Sequence, residues 1–289
     1  MRRTPVIDVT GLLGIDALVV LKLELMQHSG SFKARGALNS MLSLDGSADG
    51  VCAASGGNHA AAVAWAARRA GLSADLFVPA SATAAKIARI AEYGGRVHLV
   101  EGFVKGALEE CSRFAERHGV PQLHPYDTVE TVAGAGTVGL EIADQVPDAS
   151  VVVLACGGGG LYAGTATALE PRAVRVQPVE PEMCPSLAQA LATGGPAEVA
   201  VGGAAADSLG APRVGRIAYA VATASGVTPA LVPEGQIAEA RRLLWSSLRV
   251  LAEPGACVPL AALAGGQVVV PAGGTVVVVV SGGNNETVP

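Results

Sequence analysis

The hydrophobic positions of the chain form two alternating patterns. Short runs of β-branched and other apolar residues have the length of buried strands, and the alanine-rich stretches between them carry apolar residues at helical spacing. The apolar runs predict strands at residues 19–21, 51–53, 76–78, 97–100, 151–154, 174–176 and 276–280. The helical pattern covers residues 60–70, 84–91, 107–117 and 237–251. Such alternation predicts an α/β fold of parallel sheets with helices on both faces.

The composition limits the class of partner. The 289 residues are 50% hydrophobic and 3% aromatic and include 37 glycines, a balance that favours closely packed α/β layers with tight turns. The formal net charge of −5 gives no basic surface for nucleic acid. We therefore expect a soluble protein that acts on a small molecule.

The cysteines and the apolar segments indicate the compartment. The five cysteines are scattered, odd in number and without a C-x-x-C pair, which argues against disulfides and a zinc site. Asp8 and Asp16 interrupt the N-terminal apolar stretch, and no uninterrupted apolar run reaches the ~18 residues of a membrane helix. We expect a cytoplasmic protein without a membrane span.

Four glycine-containing motifs carry the candidate chemistry. The first surrounds Lys33 in the run S-G-S-F-K-A-R-G at 29–36. The others are S-G-G-N-H-A at 55–60, C-G-G-G-G-L at 156–161 and S-G-G-N at 281–284. In this order the motifs resemble the pyridoxal-phosphate enzymes of the tryptophan-synthase β-subunit fold (fold type II), and most closely the serine/threonine dehydratases. The resemblance extends from residue 3 to residue 284.

The resemblance implies a domain organisation and a cofactor. A small domain at residues 51–127 would be inserted into a large cofactor-binding domain made of residues 1–50 and 128–289. Pyridoxal 5'-phosphate would lie in the cleft between them. The resembling enzymes are usually dimers or tetramers, so we expect a homo-oligomer, most simply a dimer.

Lys33 is the residue on which the predicted chemistry depends. A neutral lysine amine forms a Schiff base with an aldehyde, and after a substrate amine displaces it, the freed amine can take the α-proton. An isolated lysine is far more often a solvated surface residue. The flanking pattern S-F-K-x-R-G-A is similar to the family's lysine motif. This resemblance implies that Lys33 is the catalytic and cofactor-binding residue and that Phe32 lies beside the cofactor.

The tetraglycine loop follows a buried-strand pattern at 151–155 and opens a helical stretch at 162–169. Glycines there let backbone N–H groups converge on an anion, and the helix N-terminus adds a favourable dipole. A competing interpretation is a dinucleotide site, because Gly158, Gly160 and Ala163 satisfy G-x-G-x-x-A and Glu180 ends the next strand. A nicotinamide cofactor would leave the other motifs without a role. The resemblance implies that the cofactor phosphate binds to Gly157, Gly158, Gly159, Gly160 and Leu161.

Residues 55–59 follow the strand pattern at 51–53 and precede a helix. A helix N-terminus attracts an anion, here the substrate carboxylate. The resemblance implies that Asn58 hydrogen-bonds the ring hydroxyl oxygen of the cofactor. The same residue types also form N-caps and glycine turns in many proteins, and we assign no catalytic role to His59. The predicted substrate-binding residues are Ser55, Gly56, Asn58 and His59.

Ser281 follows a run of five valines, at the strand end where ligands bind in open α/β sheets. The resemblance implies that its hydroxyl faces the pyridine nitrogen. A hydroxyl cannot keep that nitrogen protonated as an aspartate would, so the ring is a weaker electron sink, suited to prompt loss of a β-substituent. Glu253 is similar to a family glutamate that lies beside the cofactor.

Two departures from the family pattern narrow the prediction. Gly56 stands where serine racemases have a hydroxyl-bearing second base, and glycine supplies no proton, so we do not expect racemisation. Relatives often bind a divalent cation near a V-E-P segment, which is present here at 179–181. Ser186 replaces a family aspartate there, which removes a hard carboxylate ligand. We therefore predict no metal site.

The resemblance predicts a pyridoxal-phosphate-dependent ammonia-lyase. Its substrate would be L-serine, L-threonine or a related β-hydroxy-α-amino acid, and its products a 2-oxo acid and ammonia. A threo-3-hydroxyaspartate dehydratase, a β-replacement synthase and a catalytically inactive cofactor binder stay open as alternatives. The residues that recognise the substrate side chain lie on loops that the sequence does not locate.

Overall fold

The protein is described by a computed structural model covering residues 1–46, 48–102, 104–285 and 287–289. Strands and helices alternate along most of the chain. The strands are Val6–Asp8 (β1), Leu18–Leu23 (β2), Gly50–Ala54 (β3), Ser73–Pro79 (β4), Arg96–Val100 (β5), Ala149–Ala155 (β6), Arg175–Pro181 (β7), Ala230–Val232 (β8) and Thr275–Val280 (β9). The helices are Lys33–Leu42 (α1), Asn58–Ala70 (α2), Ala84–Glu92 (α3), Val104–His118 (α4), Val129–Gln145 (α5), Gly160–Leu169 (α6), Ser186–Thr193 (α7), Ala206–Leu209 (α8), Arg216–Ser225 (α9), Glu234–Leu248 (α10) and Pro254–Ala264 (α11).

Within the described residues the strands form two sheets. The larger has the order β1-β2-β9-β6-β7-β8 and is parallel except for the antiparallel pair β1 and β2. The smaller, β3-β4-β5, is parallel throughout. The predicted α/β fold is confirmed. The smaller sheet comes from a segment inserted between β2 and β6, and the exact boundary of a small domain at 51–127 stays a prediction.

The pentavaline strand β9 is the centre of the larger sheet, and every residue in it is buried. Successive side chains of a strand point to opposite faces. Val276, Val278 and Val280 accordingly join the core that packs under α10 and α11. Val277 and Val279 join the core under α5, α6 and α9. A sheet covered on both faces explains why its strands read as continuous apolar runs.

Most predicted elements are present with shifted ends. Each predicted strand lies within an observed one, except that residue 174 precedes β7. The predicted helix at 237–251 begins at Glu234 and ends at Leu248. Arg249 ends it because this residue adopts a left-handed backbone conformation with φ of 57°. Apolar residues continue beyond the helix because Val250 and Ala252 still pack in the core after it ends.

Helices α1 and α5 were not predicted from the periodicity, because glycines interrupt their sequences. The structure explains these glycines by close helix packing. A Cβ on Gly134 would lie 2.5 Å from the Arg35 carbonyl oxygen, and one on Gly136 would lie 2.8 Å from the Gly164 carbonyl oxygen. Tertiary packing therefore outweighs the low helix propensity of glycine.

A buried ionic cluster fixes α1, the helix that begins at Lys33. Arg35 donates through Nε and Nη2 to the two carboxylate oxygens of Glu24, each at 2.7 Å, and through Nη1 to Glu141 at 2.7 Å. Lys22 Nζ also donates to Glu141, at 2.6 Å. The cluster joins β2, α1 and α5 with paired charges, as buried ions require.

Candidate active site

The loops at the carboxyl ends of both sheets meet around the first residue of α1. They enclose a space that we call the inner cavity. All residues predicted to bind the cofactor line it. The inner-cavity residues are Phe32, Lys33, Asn58, Tyr126, Ala155, Gly157, Gly158, Gly159, Gly160, Leu161, Ser208, Leu209, Glu253 and Ser281.

A second space, the outer cavity, adjoins the inner one and has a volume of about 370 Å³. Lys33, Asn58, Tyr126, Gly158 and Ser208 line both cavities. Its other lining residues include the predicted substrate-binding loop and an apolar wall. The loop contributes Ser55, Gly56, Gly57 and His59, and the apolar wall consists of Pro79, Ala82, Val104 and Ala211.

The Lys33 amine lies where the two cavities meet. Its Nζ donates to the Pro125 carbonyl oxygen at 2.7 Å and is 5.1 Å from the centre of the Phe32 ring. Burial lowers the pKa of Lys33 from 10.5 to about 8, and the nearby Glu253 carboxylate partly opposes this. A larger neutral fraction makes the amine a better nucleophile and base near neutral pH.

The tetraglycine loop presents unused backbone donors to the inner cavity. Across the described residues, none of the N–H groups of 157–161 donates to a protein acceptor. The loop also packs tightly, because a Cβ on Gly158 would lie within 2.5 Å of three ring atoms of Tyr126. Free N–H groups at the start of α6 form the kind of anion site that a phosphate occupies.

The Asn58 amide reaches across the inner cavity to Glu253. Its Nδ2 lies 2.8 and 3.0 Å from the two carboxylate oxygens. Glu253 is only 6% exposed, and burial raises its pKa from 4.5 to about 7, while the bond from Asn58 lowers it. The carboxyl group is therefore close to its titration point at neutral pH.

Ser281 follows β9 and lines the inner cavity with a hydroxyl that makes no hydrogen bond to any described part of the chain. This hydroxyl is open to the cavity, where a bound group can reach it. It faces the same space as the free N–H groups and Lys33. These three kinds of group fit the ring nitrogen, phosphate and aldehyde of pyridoxal phosphate.

The predicted substrate-binding residues form the start of α2. Ser55 Oγ accepts a hydrogen bond from Gly57 N at 3.2 Å, which shapes the turn. A Cβ on Gly56 would meet Ala82 and Pro79 at 3.5 Å, an ordinary contact. His59 is buried, its Nε2 lies 3.1 Å from the Leu123 carbonyl oxygen, and burial lowers its pKa to about 3. The ring is therefore neutral and held by the protein.

Tyr126, Pro125 and Ser208 line the site and were not predicted from the sequence. Tyr126 Oη donates to the Arg213 carbonyl oxygen at 3.1 Å, which fixes its ring against the tetraglycine loop. Pro125 and Tyr126 lie in an irregular loop and Ser208 lies in the short helix α8, all far from the four motifs in sequence. Only the folded chain brings them to the site.

The dinucleotide interpretation requires a free Glu180 carboxylate. Instead, Glu180 is buried and accepts hydrogen bonds from Leu187 N at 2.7 Å, Ala188 N at 2.9 Å and Ser186 Oγ at 3.2 Å. It caps α7 and has no free face for a ribose. Among the described residues no group of three or more His, Cys, Asp or Glu is arranged to hold a metal ion. In the same part of the chain no helix is long and apolar enough to cross a bilayer.

Comparison with known proteins agrees with this geometry. The sequence model of the family described as pyridoxal-phosphate dependent enzymes matches residues 1–282. The chain belongs to this family. Its cofactor is pyridoxal 5'-phosphate.

Several relatives are similar over most of the chain. The phenylserine dehydratase of Ralstonia pickettii is 36% identical, over 92% of this chain and 83% of that protein. The L-threonine ammonia-lyase of Thermotoga maritima is 35% identical, over 85% of this chain and 62% of that protein. Maize serine racemase matches in structure with a TM-score of 0.92 and 30% identity, covering 99% and 89% of the two chains. Threonine deaminase isoform 2 of Solanum lycopersicum gives a TM-score of 0.89 and 28% identity, covering 99% and 85%. The fold type II prediction is confirmed.

Proposed function

We propose that the protein is an ammonia-lyase that removes water from a β-hydroxy-α-amino acid and releases a 2-oxo acid and ammonia. The observation that carries the proposal is the position of Lys33 Nζ between an anion-binding glycine loop and the N-terminus of α2. One cavity suits the cofactor and the other suits the substrate. Relatives named dehydratase or ammonia-lyase support the same reaction class.

The residues of the inner cavity would hold the cofactor. We propose that the N–H groups of residues 157–161 bind the phosphate, Ser281 faces the ring nitrogen and Asn58 donates to the ring oxygen. Phe32 and Glu253 complete the walls of the cavity. When bound, pyridoxal phosphate supplies the electron sink that stabilises negative charge at the substrate α-carbon. A neutral hydroxyl at the ring nitrogen favours rapid loss of the β-hydroxyl over a long-lived carbanion.

Lys33 would attach the cofactor and then act as a base. Its Nζ lies beside the outer cavity, where the substrate α-carbon would be, and its lowered pKa leaves a usable neutral fraction at pH 7 to 8. We propose that the start of α2, with Ser55, Gly56 and Asn58, binds the substrate carboxylate. His59 would support this loop through its bond to Leu123.

The residues in the wall of the outer cavity indicate which substrate side chains it would accept. Pro79, Ala82, Val104 and Ala211 make much of it apolar. Among the described residues that line the outer cavity, the cationic side chains are Lys33 and Lys86. The Lys86 ammonium contacts the Asp207 carboxylate. A second carboxylate, as in threo-3-hydroxyaspartate, would compete with Asp207 for Lys86. An apolar β-substituent would not, so a 3-phenylserine type of substrate is our second candidate, as the Ralstonia relative's name suggests.

The test is ammonia and 2-oxo acid release from serine, threonine, 3-phenylserine and threo-3-hydroxyaspartate, each as both enantiomers. We expect turnover of L-serine, L-threonine or L-3-phenylserine and none in Lys33→Ala. Borohydride should fix the cofactor to the wild type and not to Lys33→Ala. The exposed Lys105→Ala is the matched control and should behave as wild type. Full turnover by Lys33→Ala would refute the mechanism.

The alternatives give different results in the same assays. A β-replacement synthase would consume substrate faster when a thiol is added and would release little ammonia. An inactive binder would take up cofactor at Lys33 without turnover. Homodimerisation and a cytoplasmic location stay predictions, to be measured by sedimentation equilibrium and cell fractionation.

A further inference from the structure

Asn284 ends the S-G-G-N motif, and the cofactor-binding roles above do not use it. Its side chain joins three segments that are distant in sequence. Asn284 Nδ2 donates to Asn58 Oδ1 at 2.7 Å and to the Ser29 carbonyl oxygen at 2.8 Å. Its Oδ1 accepts from the Arg89 guanidinium of α3.

These partners determine which way both amides point. A backbone carbonyl can only accept, so the Asn284 atom that faces Ser29 must be the NH2 nitrogen. The Asn58 atom that faces the same NH2 group must then be its oxygen. The Asn58 NH2 group is left facing the Glu253 carboxylate and the inner cavity. Hydrogen-bond networks of this kind are the usual basis for orienting asparagine amides.

The backbone at residues 29–30, which packs against Asn284, leaves a defined space for the Asn284 side chain. Ser29 has a left-handed φ of 57°. The next residue is Gly30, where any Cβ would overlap Asn284 Oδ1. The turn at 29–30 thus leaves the space that the Asn284 amide fills.

We propose that Asn284 is a positioning residue that holds the Asn58 amide with its NH2 group toward the cofactor. The inference rests on the proposed cofactor role of Asn58. Without the Asn284 donor, the Asn58 oxygen loses its partner, and only the contact of its NH2 group with the Glu253 carboxylate opposes rotation of Asn58 by half a turn. In Asn284→Asp the new carboxylate oxygen also repels the Asn58 oxygen and accepts from the rotated NH2 group, which favours the rotation. The rotated Asn58 would then present its carbonyl oxygen to the ring oxygen of the cofactor, where two acceptors repel each other.

Asn284→Asp isolates this role. It keeps the side-chain shape and the contact with Arg89, which becomes an ion pair, and replaces only the NH2 donor. We expect the dissociation constant for pyridoxal phosphate to rise at least about tenfold and the absorption spectrum of the bound cofactor to change. Asn39→Asp is the matched control, because its amide also donates to a carbonyl, that of Glu130, away from the site. The two cofactor-free variants should unfold at similar temperatures.

Two further variants separate positioning from simple cleft closure. Arg89→Leu removes the link to α3 and leaves both donor contacts of Asn284, so its cofactor affinity should stay within about threefold of wild type. In an Asn58→Ala background, Asn284→Asp should add little to the loss, because its effect acts through Asn58. Asn284→Ala repeats the measurement if the aspartate variant folds poorly.

The proposal is overturned if Asn284→Asp binds the cofactor with wild-type affinity and spectrum. It is also overturned if Arg89→Leu is equally damaging, or if the loss is undiminished in the Asn58→Ala background. Failure of the proposed function would look different. In that case borohydride would not fix the cofactor at Lys33 of the wild-type protein.

Discussion

Substitution of Gly158 by alanine tests the tetraglycine loop most directly. The added Cβ would lie within 2.5 Å of three ring atoms of Tyr126. Carbon atoms in ordinary contact are about 3.5–4.0 Å apart. Either the ring or the loop must therefore move by about 1 Å or more.

The ring cannot move freely. Tyr126 Oη is bonded to the Arg213 carbonyl oxygen at 3.1 Å, and the ring packs edge-on against His124 with centroids 4.7 Å apart. Forcing an extra methyl group into a packed site costs about 1–3 kcal/mol. If the loop moves instead, its N–H groups leave the position at which we propose that they bind the phosphate. A cost of this size in the bound state weakens cofactor binding by about five- to 140-fold.

The measurement is the dissociation constant for pyridoxal phosphate, from absorbance titration of the cofactor-free protein. Gly195→Ala is the control, because a Cβ there meets nothing within 4 Å. In a Tyr126→Ala background the clash is gone, so Gly158→Ala should then cost little. Wild-type affinity and unchanged thermal stability for Gly158→Ala alone would show that the reasoning about this packing is wrong.

Three other outcomes are expected. Gly56→Ser has room for its side chain against Ala82 and should let a hydroxyl deliver a proton from the second face of the cofactor ring. We expect this variant to racemise L-serine at least about a hundredfold faster than Gly56→Ala does. Chiral chromatography tests this, and elimination without any D-serine would contradict it. Buried Glu253 keeps its proton after the unfolded chain has lost it, so this group lowers the unfolding free energy of the cofactor-free protein as pH rises from 4.5 to about 7. Buried Glu180 acts in the same direction, and buried His59, whose pKa is lowered, acts in the opposite one. Glu253→Gln should remove a decrease on the order of 3 kcal/mol, measured by urea unfolding across that range, and an unchanged slope would refute the assignment. Arg35→Met leaves Glu24 buried without its cation and should lower the unfolding free energy by about 3–5 kcal/mol. The exposed Arg113→Met should lower it by less than about 1 kcal/mol. Equal unfolding midpoints for the two variants would show that the Arg35–Glu24 pair does not have this effect.

The strands were predictable because the sheets are covered on both faces. A continuous apolar run such as the one ending at Val280 is short for a helix and consists of β-branched residues, so it is interpreted as a strand. Helices α1 and α5 were not, because their glycines are explained by contacts with other helices. A pattern confined to one segment carries no information about its neighbours. The same limit applies to the short strands β1 and β8, three residues each.

The site shows the same division. Three of the four motifs, those at 55–60, 156–161 and 281–284, predicted a loop at a strand end, and parallel strands bring such ends to one edge. The contacts that complete the site are between loops. Pro125 as acceptor for Lys33, Tyr126 against Gly158 and Asn284 beneath Asn58 all depend on where irregular segments cross. No local pattern specifies these crossings.

The two sheets support different parts of the proposed site. Lys33 and Arg35 share α1, and the bonds from Arg35 to Glu24 and Glu141 fix that helix to the turn directly after β2 and to α5. The amine that we propose attaches the cofactor is therefore held by the larger sheet. The loop proposed to bind the substrate carboxylate belongs to the smaller one, at the start of α2. We therefore expect that changes in that loop, such as glycine or serine at position 56, redirect the reaction while Lys33 and its support stay the same.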